Sequence, residues 1–189
     1  MKKKIAILGS TGSIGENTLK IIKNDKKNFD VVLLSTNKNI NRVIKQAKEF
    51  KVKNVIINDL KSFQKAKLKI KNTKIKIFNK FDIFNKVFKK KNDFIMCSIT
   101  GLDGLQPTLE SIKHTKNILI ANKESIICGW NLIKKELIRY KTKFIPVDSE
   151  HFSIWSLLEN NKTSNIDKIY ITASGGPFLN LPKSKFKKI

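Results

Sequence analysis

The sequence predicts an α/β fold built on a doubly wound parallel sheet, and three observations predict it. Short apolar, β-branched runs alternate with stretches of helical period along most of the chain. Each parallel crossover needs a helix, so this alternation implies a parallel sheet with helices on both faces. The first apolar run stops at Gly9-Ser10-Thr11-Gly12-Ser13-Ile14-Gly15, a glycine turn that opens into a helix. Polar clusters then recur where strands end, the edge at which open α/β sheets bind ligands.

Taken in order, Lys4–Leu8 is the first strand, and Thr18, Leu19, Ile21 and Ile22 supply helical spacing after the turn. Glycines let a backbone approach a phosphate, and a helix N-terminus offers unpaired N–H groups and a positive dipole end. The GxxGxxG spacing directly after the first strand therefore reads as a Rossmann-like dinucleotide turn, with a plain tight connection as the alternative. The second strand, Asp30–Ser35, ends in Ser35-Thr36-Asn37-Lys38-Asn39. An NAD site expects an acid there for the ribose 2′-hydroxyl. A lysine suits the 2′-phosphate of NADP instead, although Lys38 is also one lysine among many.

Helices are expected over Ile40–Phe50, Leu60–Leu68 and Phe81–Phe88, with strands at Asn54–Ile57, Lys74–Phe78 and Asp93–Cys97. A helix over Leu105–Lys113 tolerates Pro107 in its first turn. Strand Asn117–Ala121 ends in Asn122-Lys123-Glu124-Ser125, whose polar side chains are either ligand contacts or a helix cap. Helix Gly129–Lys141 leads to the apolar run Phe144-Ile145-Pro146-Val147 and then to Asp148-Ser149-Glu150-His151. If the backbone is extended there, Asp148 and Glu150 share one face roughly 6–7 Å apart, near enough to hold one hard cation. Alternatively, Asp148 or Ser149 caps a helix over Phe152–Leu158, with Glu150 in its first turn.

A polar loop Glu159–Asn165 and a strand Lys168–Ala173 follow, ending in Ser174-Gly175-Gly176-Pro177-Phe178. That last stretch is a phosphate or substrate loop, or a bare glycine turn. The expected domains are a Rossmann-like, NADP-binding domain over residues 1–149 and the beginning of a second, α+β domain over residues 150–189.

Composition narrows the function classes. The formal net charge is +24, yet of 39 basic residues only Arg42 and Arg139 are arginine. Bidentate reading of phosphates and guanine favours arginine, and no groove-reading motif accompanies the charge, so no specific nucleic-acid partner is expected. Two cysteines, Cys97 and Cys128, without CxxC spacing indicate neither a disulfide framework nor a zinc site. The apolar run Ile5–Leu8 is too short for a signal peptide, and no segment is long enough to span a bilayer. The expected location is the cytoplasm, with no membrane partner.

Five blocks now stand in one order: Gly9–Gly15, Gly104-Leu-Gln-Pro-Thr-Leu109, Ala121-Asn-Lys-Glu-Ser125, Pro146-Val-Asp-Ser-Glu-His151 and Ser174-Gly-Gly-Pro-Phe178. Together they resemble the 1-deoxy-D-xylulose 5-phosphate reductoisomerase family, NADPH enzymes of the non-mevalonate isoprenoid pathway. The resemblance implies an NADPH domain, a catalytic domain and a C-terminal helical domain, assembled as a homodimer. It implies that Thr11, Gly12, Ser13 and Ile14 hold the cofactor phosphates and that Asn37, Lys38 and Asn39 hold the 2′-phosphate end. Asn122 and Glu124 would contact NADPH, and Lys123, Ser149, Glu150 and Ser174 the sugar-phosphate substrate. Lys123 and Glu150 would be catalytic, and Asp148 and Glu150 would ligate Mg²⁺ or Mn²⁺.

The implied reaction is rearrangement and reduction of 1-deoxy-D-xylulose 5-phosphate to 2-C-methyl-D-erythritol 4-phosphate. Two departures stand out. Asn37 replaces the family's usual glycine, a substitution that asparagine's tolerance of positive φ would accommodate. Family members are also about twice as long, and the other half carries the active-site loop, phosphate-binding residues and a third carboxylate ligand. The expected activity of this chain alone is therefore trace at most. The competing readings are a non-catalytic remnant that at most binds NADPH, a generic Rossmann dehydrogenase and a basic nucleic-acid-binding module.

Overall fold

A computed structural model of the 189-residue chain describes residues 1–71, 73–159, 166–171, 182 and 185. Two compact units are present, Met1–Asp148 and Ser149–Ile189. The first contains β1 (Lys3–Leu8), α1 (Ser13–Asn24), β2 (Phe29–Thr36), α2 (Ile40–Glu49), β3 (Asn54–Ile57) and α3 (Leu60–Lys69). It continues through β4 (Lys76–Phe78), α4 (Phe84–Val87), β5 (Asn92–Cys97), α5 (Leu105–Ile112), β6 (Thr115–Ile120), α6 (Lys123–Tyr140) and β7 (Lys143–Pro146). The described part of the second unit contains one helix, α7 (Ser149–Glu159).

All seven strands pair in parallel in the order β4-β3-β2-β1-β5-β6-β7. The chain builds outward from β1 to β4, then returns to the other side of β1 and builds outward to β7. Right-handed crossovers in opposite directions put their helices on opposite faces. Leu19 and Ile22 of α1, Val43 and Ala47 of α2 and Ala66 of α3 accordingly share one apolar layer. Phe84, Ile112, Ile133 and Leu137, from α4, α5 and α6, share the other.

The strands feed both layers by alternation, as buried parallel strands must. Ile5 and Ile7 face the first layer, Ala6 and Leu8 the second. In β2 the alternation slips: Val31 and Leu34 face one layer and Leu33 the other. The register shows why, because Ile5 pairs with Val31 but Ala6 pairs with Leu33, leaving Val32 as an extra residue. Ile7, Leu8, Leu34, Ile56 and Ile118 are fully buried, each contributing about 1.5–3 kcal/mol of apolar burial.

Several expectations need correction. The helix expected from Gly129 starts at Lys123; Gly129 is buried inside it because a Cβ there would overlap the Leu105 side chain of α5. Close helix packing, not helix initiation, explains that glycine. The helix expected over Phe81–Phe88 divides into a 3₁₀ turn at Phe81–Ile83 and the single turn of α4. Phe84 and Phe88 of this segment are buried in the second layer, so packing shapes it more than helical period does. The strand expected at Lys168–Ala173 is not formed where it is described: Lys168–Ile171 are exposed, with no strand pairing. Ala173 and Ser174 lie outside the described residues.

Candidate functional site

The glycine turn after β1 is shaped by steric need at two positions. Gly9 has φ +80°, and a Cβ on it would stand 2.6 Å from the Ser98 carbonyl oxygen after β5. Gly15 packs against the turn itself, where a Cβ would lie 2.6 Å from Ser10 Cα. Gly12 differs: it is the N-cap of α1 with φ −83°, and a Cβ there would only touch the Gly9 oxygen at 3.4 Å. Among the described residues, no side chain caps α1. The first turn of a twelve-residue helix thus presents backbone N–H groups and a positive dipole end; its one acidic residue, Glu16, is ion-paired with Arg42 of α2.

That helix end borders a cleft of about 210 Å³ at the carboxyl ends of β1, β2, β3 and β5. Thr11, Gly12, Asn37, Asn58, Phe81 and Thr100 line it. The cleft lies at the point where the sheet changes building direction, the place where open α/β sheets bind nucleotides.

Of the residues expected to bind cofactor, Thr11, Gly12 and Asn37 line this cleft directly. Ser13 and Ile14 are exposed in the first turn of α1. The positive φ expected for Asn37 is not used, because among the described non-glycine residues only Lys51 and Lys141 adopt it. The turn instead closes through the Asn37 carbonyl, which accepts the Asp59 N–H at 3.2 Å. Lys38 is exposed. Asp59 is held below the ordinary carboxylate range by hydrogen bonds from Ser62, with Lys38 and Lys61 adding attraction. Asn39 is the N-cap of α2, its Oδ1 accepting from the Arg42 N–H at 3.3 Å.

The second expected cluster falls at the start of α6. Asn122 is the N-cap: its Oδ1 accepts the Ser125 N–H at 2.8 Å, and its amide nitrogen donates to Ile99 O and, at 2.7 Å, to Gly101 O. The side chain is therefore occupied in holding the loop after β5, one wall of the cleft. Lys123 and Glu124 are exposed in the first turn.

Asp148 ends the first unit, just beyond β7, where the Val147 N–H donates to Ile120 O at 3.1 Å. Ser149 and Glu150 open α7, with Ser149 Oγ donating to Glu150 Oε2 at 2.8 Å. The extended backbone that would align Asp148 and Glu150 on one strand face is not adopted, since β7 ends at Pro146 and the helix has begun by Ser149. It starts earlier than the expected Phe152. Among the described residues no group of three or more His, Cys, Asp or Glu side chains could hold a metal. Two carboxylates are nonetheless the hard oxygen donors that Mg²⁺ and Mn²⁺ take.

Sequence reasoning missed a buried layer behind the turn. Ser10 N donates to Ser35 O at 2.8 Å, Gly9 N to Ser35 Oγ at 2.9 Å, and Gln46 Nε2 to Ser10 O at 2.9 Å. The only available signal was polar residues inside otherwise apolar runs, which does not reveal their partners.

Fold and cleft together define a doubly wound, Rossmann-like α/β unit, and the chain continues into a second unit. Residues 5–129 match the family model of 1-deoxy-D-xylulose 5-phosphate reductoisomerase, and residues 144–189 match that enzyme's C-terminal domain model. The chain belongs to the 1-deoxy-D-xylulose 5-phosphate reductoisomerase family. It is 64% identical to the reductoisomerase of Pelagibacter ubique over 189 residues, covering 99% of this chain and 49% of the relative. It is 41% identical to that of Clostridium acetobutylicum, covering 93% of this chain and 46% of the relative.

Among solved structures, the Zymomonas mobilis reductoisomerase in complex with NADPH superposes with a TM-score of 0.87 at 29% identity, covering 98% of this chain and 49% of that one. A reductoisomerase in complex with NADPH, fosmidomycin and magnesium gives 0.83 at 26%, covering 99% and 49%. The chain thus spans about half the length of the relatives it matches.

Proposed function

We propose that this chain forms the NADPH-binding half of a reductoisomerase that turns 1-deoxy-D-xylulose 5-phosphate into 2-C-methyl-D-erythritol 4-phosphate. The observation that carries this is the uncapped start of α1 beside a cleft at the sheet's switch point. The backbone of Thr11–Ile14 receives the pyrophosphate there. Asn37, Lys38 and Asn39 take the 2′-phosphate end, Lys38 being the cation at that turn. Glu124 contacts the cofactor from the first turn of α6, while Asn122 acts by holding the Ile99–Gly101 wall.

Lys123, Ser149, Glu150 and Ser174 bind the sugar phosphate, and Asp148 with Glu150 provides carboxylates for Mg²⁺ or Mn²⁺. Lys123 and Glu150 are the catalytic residues in this reading. When bound, NADPH supplies a hydride and the divalent cation stabilises oxyanion character on the substrate's oxygens. The protein's part is to fix both against the substrate. Homodimeric assembly and a cytoplasmic location belong to the same reading; the two free cysteines support the latter. Among the described residues, no helix is long and apolar enough to cross a membrane.

The test is NADPH oxidation with 1-deoxy-D-xylulose 5-phosphate and Mg²⁺. The chain alone is expected to turn over at trace level, and a chimera joining it to the remaining half of the Pelagibacter ubique enzyme at a full rate. A folded chimera that binds substrate but never oxidises NADPH would overturn the reading. Titrating Mn²⁺ into the chain and into Asp148→Asn tests the metal: identical curves would remove Asp148 as a ligand.

A further inference from the structure

Behind the glycine turn, four polar side chains are almost fully enclosed: Ser10, Ser35, Thr36 and Gln46 are 0%, 1%, 4% and 8% exposed. Gln46 reaches Ser10 from α2 and bonds it twice. Its Nε2 donates to the Ser10 carbonyl at 2.9 Å and its Oε1 accepts from Ser10 Oγ at 2.8 Å. Ser10 Oγ also lies 3.1 Å from Ser35 O. Alongside runs a second thread, in which Thr11 Oγ1 stands 2.7 Å from Thr36 Oγ1 and the Asn39 N–H donates to Thr36 Oγ1 at 3.3 Å.

Nothing about burial alone asks for a glutamine here. The same face of α2 presents Val43, Ile44 and Ala47 to the core, and an apolar side chain would avoid the cost of desolvating an amide. What the amide adds is direction. Apolar packing fixes volume, whereas a doubly bonded pair in a low-dielectric layer fixes the relative placement of the two backbones that carry it. One backbone is the glycine turn, and the other is the helix whose N-terminus begins at Asn39.

We propose that the Ser10–Gln46 pair is a positioning clamp: it sets the spacing between the pyrophosphate turn at Gly12 and the 2′-phosphate turn at Asn37–Asn39. The clamp favours a dinucleotide that bears both anionic groups over one lacking the 2′-phosphate. It rests on the NADPH reading above and adds to that reading two residues that touch no ligand.

The test titrates NADPH and NADH into the 189-residue chain, wild type, Gln46→Met and Ser10→Ala, with thermal unfolding recorded for each. Both variants are expected to weaken NADPH about fivefold or more and NADH less than about twofold, so that the preference falls. The double variant should lose no more preference than Gln46→Met alone, because the residues act as one unit. Should Gln46→Met not fold, Ser10→Ala removes only a hydroxyl and carries the comparison. An unchanged NADPH-to-NADH ratio overturns the clamp, whether both affinities fall together or neither moves. Wild type that binds neither nucleotide overturns the NADPH reading and the clamp with it; wild type that binds NADPH, with an unchanged ratio in the variants, removes the clamp alone.

Discussion

Asn122 donates to the Gly101 carbonyl at 2.7 Å while its Oδ1 accepts the Ser125 N–H, so one side chain ties the loop after β5 to the start of α6. Gly104 leaves the space for this, since a Cβ there would overlap the Asn122 amide. Asn122→Asp keeps the helix cap but turns acceptor oxygens towards two carbonyls. The expected loss is about 2–4 kcal/mol of stability by urea unfolding. Asp and wild type of equal stability would show that the amide donors do not hold the loop.

Gly9 and Gly12 separate folding from binding. Gly9→Ala meets both a positive φ and the Ser98 backbone, and should leave little folded protein. Gly12→Ala has ordinary φ and ordinary contacts, so its stability should stay within about 0.5–1 kcal/mol of wild type. Its methyl group would stand where, in the proposed reading, a cofactor phosphate would approach α1. NADPH affinity should fall by about tenfold or more, measured by titration alongside a thermal melt.

His114 supplies a pH dependence. It is 8% exposed, lies against Phe84 and Phe88, and has its Nε2 enclosed without a hydrogen-bond partner among the described residues. Burial pushes its pKa down, Lys113 and Lys91 add to this, and Glu110 opposes it. The folded protein therefore keeps the ring neutral while the unfolded chain takes up a proton near pH 6.5. Stability is retained above that pH and lost as the pH falls below it. Between pH 7 and pH 5, wild type should lose more stability than His114→Gln, read from urea midpoints at each pH; equal losses would contradict a neutral, enclosed ring.

The two thiols should differ sharply. Cys97 is fully enclosed, and burial pushes its pKa up to about 12 against the opposing hydrogen bonds of Thr108 and Ser111. Cys128 is exposed on α6. A maleimide at mild alkaline pH should label Cys128 alone in the folded protein and both thiols in urea, since the thiolate is the reactive form. Rapid native labelling at Cys97, located by peptide mass, would contradict the packing of the second apolar layer.

Much of this was legible in the sequence where the signal is local. Alternation of apolar runs with helical spacing carried the sheet, and Gly9–Gly15 carried the turn, because a tight strand-to-helix connection leaves its own residues as a trace. Features that depend on a distant partner did not show. Gly129 looks like a helix boundary until Leu105 is beside it, and nothing local in the sequence pairs Gln46 with Ser10. Phe81–Phe88 reads as one helix because each apolar residue satisfies the period, yet its packing breaks it after Ile83. The Asp148–Glu150 stretch carried two readings from its spacing, and the early start of α7 removes the extended backbone on which one of them stood.

The central claim is that this chain carries an NADPH site, and calorimetric titration of NADPH and NADH into it, with Lys38→Ala alongside, tests that most directly. The account predicts saturable NADPH binding at one site, tighter than NADH by about tenfold or more, with the advantage shrinking in Lys38→Ala. A folded chain that takes up no NADPH would contradict it.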